Sequence, residues 1–310
     1  MVDSSDATWD EFFKGCLAAG RANCALARDG ATYEQLRETV YDLMHTLKYD
    51  PLPLAGMLVD YTAVKAAIIA SMYRPVRWPA LAAALDGLLT GNFTPLLAFA
   101  SGEGGGLENE ATQGIRCSDK TARVSKRADM MPAIQRFAEK SRLFGDFWTL
   151  VEMQCAQWKL PAKEVYRGDF KVKTKHPILV VGNTWDPLTP LVSARNASAT
   201  FEGSGLLEQR GHGVSRTLAN PAAVIDPGML TLLKHASIAE PSACTARVLQ
   251  AYFVNGTLPD KGKVCEVDVK LFQNGASGAA IGKWEAADDD PRLLKAAQDL
   301  SLAWSRRRFV

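Results

Sequence analysis

Two residues suited to proton transfer, Asp186 and His212, follow apolar stretches in the second half of the chain. The run from Ile178 to Asp186 has a β-branched core, which predicts a buried strand with an acid at its carboxyl end. His212 stands between two glycines, after a second apolar stretch at Leu206-Leu207. Because α/β sheets place reactive groups at the carboxyl ends of their strands, we expect the two side chains to meet within hydrogen-bond distance.

An acid followed by a histidine is the order of the last two members of a Ser…Asp…His hydrolase triad. In that chemistry His212 would take the serine proton, and Asp186 would hold the imidazole. The alternatives are structural: in them Asp186 only precedes a helix start, and His212 is a loop histidine. The remaining histidines have no partner pattern and are interpreted as structural: His45, His176 and His235.

The nucleophile of such a triad is missing from the sequence. A nucleophile elbow reads G-x-S-x-G, because its serine sits on a sharp turn that only small neighbours allow. No such pentapeptide occurs in the 310 residues. The nearest approaches are Gly203-Ser204-Gly205 and Gly275-Ala276-Ser277-Gly278, and we interpret both as loops.

Composition bounds the class of protein. With 310 residues, 47% of them hydrophobic, the chain can bury one large or two medium cores. The charges are interspersed and nearly balanced, at a net +2, so nothing indicates a nucleic-acid partner. The most apolar stretch, from Leu52 to Met72, is interrupted by Asp60 and Lys65 and does not predict a membrane span.

Six cysteines and three glycosylation sequons favour an oxidising, secretory setting. The spacing suggests the pairs Cys16 with Cys24 and Cys244 with Cys265, which leaves Cys117 and Cys155 as a third pair. The sequon acceptors are Asn92, Asn196 and Asn255. Against this, six free thiols would be ordinary in a cytosolic protein, and the N-terminus does not resemble a signal peptide. No C-x-x-C occurs and the histidines are scattered, so no metal site is expected.

Capping signals predict that the first half is helical. Capping boxes are predicted at Thr8 and Thr32, an N-cap at Asp60, and Pro79 at the first position of a fourth helix. Further helices are predicted over 131–137, 147–158, 230–233, 244–252 and 290–308, and another that Thr189 caps and Pro190 opens. The glycine-rich segment 101–106 lacks a phosphate-loop ending and predicts a plain loop.

Only two convincing strands emerge, and two parallel strands cannot form a sheet that is covered on both faces. Either further strands escape the pattern, or the chain is the C-terminal part of a larger fold.

Several motifs together resemble the C-terminal portion of secreted α/β-hydrolases of the tripeptidyl-aminopeptidase-like type, which are classed with proline-iminopeptidase-type serine peptidases. The similar segments are Cys155-Ala156-Gln157-Trp158, Pro177 to Pro190, Ala194-Arg195-Asn196, Gly211-His212-Gly213, Cys244, Tyr252 to Pro259 and Cys265, with weaker likeness at Tyr73 to Leu81 and Ile115 to Asp119. The resemblance implies a helical cap over residues 1–150 and the last part of an α/β-hydrolase core over 151–310, its peptidase-like portion ending near residue 266. It further implies Asp186 as the acid, His212 as the base, no cofactor and a secreted location.

Three functional hypotheses follow. The first is a serine aminopeptidase acting on peptides, present as a fragment that lacks its serine and is inactive alone. The second is a hydrolase of small-molecule esters or amides on the same fold, and the third is a non-catalytic binding module. Acidic cap residues that would suit a peptide's free amine are Glu103, Glu108 and Glu110, and the default interpretation is that they are surface carboxylates.

Overall fold

A computed structural model describes residues 3–101, 110–120, 122–213, 217–218, 240–269 and 271–272. Several predictions fall outside these residues: the helices at 230–233 and 290–308, most of the loop 101–106, the segment 275–278, and the side chains of His235, Glu103, Glu108 and Glu110.

The described first half is mainly helical, as predicted. Its helices are α1 (Ser5–Ala19), α2 (Tyr33–Tyr49), α3 (Tyr61–Met72), α4 (Trp78–Thr90), α5 (Thr94–Ser101), α6 (Glu110–Asp119), α7 (Arg127–Lys140) and α8 (Gly145–Ala156). A hairpin of β1 (Leu52–Leu54) and β2 (Met57–Val59) joins α2 to α3. The sequence patterns did not predict this hairpin. Its turn residues Ala55 and Gly56 both have positive φ, as a two-residue turn of this kind requires.

Two of the predicted helix starts are confirmed. The Thr32 side chain accepts a hydrogen bond from the Gln35 backbone, and the Gln35 side chain bonds back to Thr32, so the capping box is complete. Asp60 caps α3 by accepting a hydrogen bond from the amide of Ala63.

Two other starts are wrong. α1 begins at Ser5, so Thr8 lies inside the helix, where its hydroxyl donates to the backbone carbonyl of Ser4. The next helix, α9 (Leu191–Thr200), begins one residue after Pro190, and Thr189 bonds to Asp186 instead of capping it.

The described residues of the second half form a four-stranded sheet in the order β7-β4-β6-β8. The long central pair, β4 (Leu179–Trp185) and β6 (Gly205–His212), is parallel, as predicted. Short strands complete the sheet: β8 (Val264–Glu266) runs parallel to β6, and β7 (Thr217–Leu218) is antiparallel to β4. These two short strands lack a sequence signal strong enough to predict them. A separate two-residue parallel pair joins β3 (Val172–Lys173) to β5 (Phe201–Glu202).

Both faces of the β4–β6 pair are covered. On one face, Val180 packs with Leu191 and Ala194 of α9. Gly182 makes this approach close, because a Cβ there would lie 2.8 Å from the Cβ of Ala194. On the other face, Leu179 and Leu207 pack against Tyr252 of α10 (Ala243–Asn255). The helices of the first half share a larger core centred on Trp9, Phe12 and Trp78.

Three disulfides hold the chain: Cys16 with Cys24, Cys117 with Cys155, and Cys244 with Cys265. These are the pairings suggested by the sequence, and no cysteine is left free. Within the described residues, no helix combines the length and apolar character needed to cross a membrane.

Candidate active site

The carboxyl ends of β4 and β6 lie side by side, because Trp185 is the register partner of His212. The Trp185 ring stacks on the imidazole at a centroid distance of 4.7 Å and an angle of 10°. Trp78, at the start of α4, meets the imidazole edge-on at 5.3 Å. His212 is therefore enclosed by aromatic rings from both halves of the chain and is only 6% exposed.

Asp186 is fully buried directly after β4, where the sequence places an acid, and it accepts three hydrogen bonds from the residues that follow it. Its Oδ1 accepts from the backbone amides of Leu188 and Thr189, at 2.9 and 2.7 Å. Its Oδ2 accepts from the Thr189 hydroxyl at 2.6 Å. These contacts fit the alternative in which Asp186 precedes a helix start. The direct Asp186–His212 hydrogen bond that we expected is not among the contacts of His212.

Glu240 takes that position against the imidazole. Its Oε2 lies 3.0 Å from His212 Nδ1 and also accepts a short hydrogen bond from the His212 backbone amide. Glu240 is itself 5% exposed. No sequence pattern links Glu240 to His212, since 27 residues without a recognisable motif separate them.

A second carboxylate approaches the other ring nitrogen. Glu11 of α1 places its Oε2 4.0 Å from His212 Nε2, which is an ion-pair distance and too long for a hydrogen bond. Nε2 has no hydrogen-bond partner within the described part of the chain. In the sequence, Glu11 is recognisable only as part of the capping box predicted at Thr8.

The two carboxylates decide the charge of His212. Burial of the imidazole lowers its pKa, but Glu240 and Glu11 outweigh burial and raise the pKa to about 9. The charge of His212 in turn lowers the pKa of Glu11, with a further contribution from Lys14. At neutral pH the imidazole is therefore mostly protonated, so it can donate a proton but accepts one only through its small neutral fraction.

A cavity of about 530 Å³ opens beside His212. The small residues Gly15, Ala18 and Ala19 of α1 form one wall, and Trp185, Glu240 and Arg210 contribute to the others. Small side chains on α1 leave room for this cavity among the described residues. The described residues include no cluster of metal-binding side chains.

The parallel strands and the helices that flank them are compatible with an α/β fold that carries a histidine at a strand end. Residues 141–265 match the model of a hydrolase family described as TAP-like protein, which supports an α/β-hydrolase family for this part of the chain. The match includes β4, β6, Asp186, His212 and Glu240. A search of curated proteins finds no match to the chain.

Proposed function

We propose that this chain carries the base of a serine hydrolase of aminopeptidase type, which acts on peptides by amide hydrolysis. The single observation that carries the proposal is His212 at the carboxyl end of β6, inside the TAP-like match and beside a cavity. In the proposed chemistry His212 removes the serine proton and later returns it to the leaving amine. The resemblance assigns the supporting acid to Asp186.

The proposal includes inactivity of the 310-residue chain, because the sequence contains no G-x-S-x-G. A fluorophosphonate probe tests this directly, since it labels an activated serine stoichiometrically. We expect no stoichiometric labelling of the purified chain. Labelling of any serine within residues 1–310 would refute our interpretation that the nucleophile is missing.

A separate experiment tests the substrate class. It uses a longer version of the protein, in which a nucleophile elbow, that is a strand, G-x-S-x-G and a helix, is added ahead of residue 1. We expect such a form to cleave peptides with a free amino terminus faster than the same peptides after acetylation. Equal rates on both, with faster cleavage of small esters or amides, would instead support the small-molecule hydrolase.

A non-catalytic binding module is the second candidate, and one observation favours it. His212 is held between two carboxylates and has its pKa raised to about 9, which suits a structural ion cluster better than a base. Absence of labelling in a serine-bearing form whose fold and disulfides are intact would favour this candidate over the hydrolase.

We also propose that the protein is secreted. The three disulfides support an oxidising compartment. The sequon residues Asn92, Asn196 and Asn255 are all exposed, so each is accessible for glycosylation. A loss of apparent mass on enzymatic deglycosylation of protein from its native host is the expected result.

A further inference from the structure

We propose that Glu240 is the residue that positions His212 for proton transfer, in the role that the resemblance gives to Asp186. The inference rests on the proposed function only in taking His212 as the base. A histidine base needs a group at Nδ1 that fixes the ring and leaves Nε2 to the substrate side. In this structure Glu240 Oε2 makes the Nδ1 contact, at 3.0 Å.

The double contact of Glu240 makes it suited to orienting the imidazole. The same Oε2 atom accepts from the backbone amide of His212 and lies against its Nδ1. The backbone and the ring are thereby tied to one oxygen, which restricts rotation of the side chain about its first bond. A carboxylate at Nδ1 also favours a proton on that nitrogen, so the neutral ring carries its lone pair at Nε2, on the side that faces Glu11.

The chain around Glu240 is fixed by contacts that reach β6 and β8. The Gln209 side chain donates to the Glu240 carbonyl at 3.0 Å. Gly211 leaves space for the Glu240 side chain, because a Cβ at this position would lie 3.1 Å from Glu240 Oε2. Just beyond Glu240, the Ser242 hydroxyl donates to the Glu266 carbonyl at 2.6 Å. The disulfide between Cys244 and Cys265 joins the following helix to β8. Glu240 is therefore held by the same sheet that carries His212.

Asp186 makes contacts of a different kind from those of Glu240. Its two carboxylate oxygens are engaged by Leu188 and Thr189, which close the turn between β4 and α9. Removing its charge should disturb that turn while leaving the contact at His212 Nδ1 in place. This separates the two carboxylates experimentally.

Nitrogen-15 NMR of the histidine side chains in the 310-residue chain tests the inference. The carboxylates that face the His212 ring are Glu240 at Nδ1 and Glu11 at Nε2, and Trp185 and Trp78 cover it elsewhere. We expect Glu240→Gln to lower the pKa of His212 by about 1–3 units, and Asp186→Asn to leave it nearly unchanged. The opposite pattern would overturn the inference.

The tautomer of the neutral ring provides a readout that needs no variant at Glu240. Above the pKa of His212, the unmodified chain should carry its ring proton on Nδ1. Glu11→Gln is the matched control: it should lower the pKa of His212 and keep the proton on Nδ1. A proton found on Nε2 in the unmodified chain would refute the positioning role. Neither NMR measurement depends on hydrolysis, so failure of the proposed function would leave their outcome unaffected.

Discussion

His212 lies between carboxylates that approach opposite sides of its ring, and the resulting ion cluster is buried at His212 and Glu240 and partly exposed at Glu11. The cluster joins α1, β6 and the segment before α10, which are far apart in the sequence. A charged imidazole in such a place stabilises the folded chain only while it is protonated. The charge state of His212 thus links the stability of the fold to pH.

The first prediction concerns that link. The pKa of His212 is about 9 in the folded chain and about 6.5 in the unfolded chain. Its contribution is therefore fully present below about pH 6.5 and is lost as the pH rises through about 9, to a total of about 3 kcal/mol at most. Urea unfolding at pH 6 and pH 9.5 measures the loss.

His212→Gln is the control for this pH effect. It should lower the free energy of unfolding at pH 6 and reduce the difference between the two pH values. An unchanged difference in the variant would show that other groups cause the pH dependence.

At the scale of single elements, the capping box of α2 offers a direct test of local stability. Thr32→Ala removes the side chain that accepts from Gln35, and we expect a loss of about 1 kcal/mol in the free energy of unfolding. Thr39→Ala, at an exposed site inside the same helix, should change it by less, because its hydroxyl bonds only to the carbonyl of Gln35. Equal effects of both changes in chemical denaturation would contradict the capping role.

The contact of β4 with α9 gives a third prediction. Gly182→Ala should destabilise the chain by about 1–3 kcal/mol, because the new Cβ would lie 2.8 Å from Ala194 and 2.9 Å from Leu191. Gly114→Ala in α6 is the matched control, since its Cβ meets nothing within 4 Å and alanine favours a helix. Melting temperatures should move in opposite directions, and a neutral Gly182→Ala would contradict the close packing.

The success of sequence patterns also differs among elements. Thr32 and Asp60 predict helix starts because capping is a local interaction within four residues. The same reasoning fails at Thr8, where the chain continues one helical turn further towards the N-terminus. The strands β7 and β8 are only two and three residues long, so their formation depends on pairing with β4 and β6, which no local pattern reports.

At the candidate site, too, local sequence patterns predict some features and miss contacts between distant segments. The strand-end positions of Asp186 and His212 follow from apolar runs that end in an acid or a glycine-flanked histidine. The partner of His212 does not follow, because Glu240 and Glu11 reach the ring from segments that are distant in the sequence. Their proximity is set by the packing of α1 and α10 around the sheet.

For the whole molecule, the disulfides constrain regions of different size. The Cys117–Cys155 bridge spans 38 residues and the Cys16–Cys24 bridge spans 8. Because a bridge restricts the unfolded chain more when its loop is longer, replacing Cys117 and Cys155 by serine should cost about 4 kcal/mol, against about 2.5 kcal/mol for Cys16 and Cys24. Chemical denaturation of the two double variants measures this, and a reversed order would contradict the loop-length account.

The division into a helical cap over residues 1–150 and a hydrolase core over 151–310 stays a prediction. The large helical core of the first half contains Leu188 and Phe272 from the second half, so the two regions share packing. His212 itself contacts both regions, through Trp78 and Glu11 on one side and Trp185 on the other.

The central claim is that His212 is the base of a serine hydrolase, and one measurement tests it most directly. Three proteins are compared for their rate of fluorophosphonate labelling. The first carries a nucleophile-elbow serine ahead of residue 1, and the other two are its His212→Ala and His176→Ala variants. His176 is exposed before β4 and serves as the matched histidine control. We predict that His212→Ala abolishes labelling while His176→Ala leaves the rate unchanged. Labelling of the serine at an undiminished rate without His212 would contradict the account.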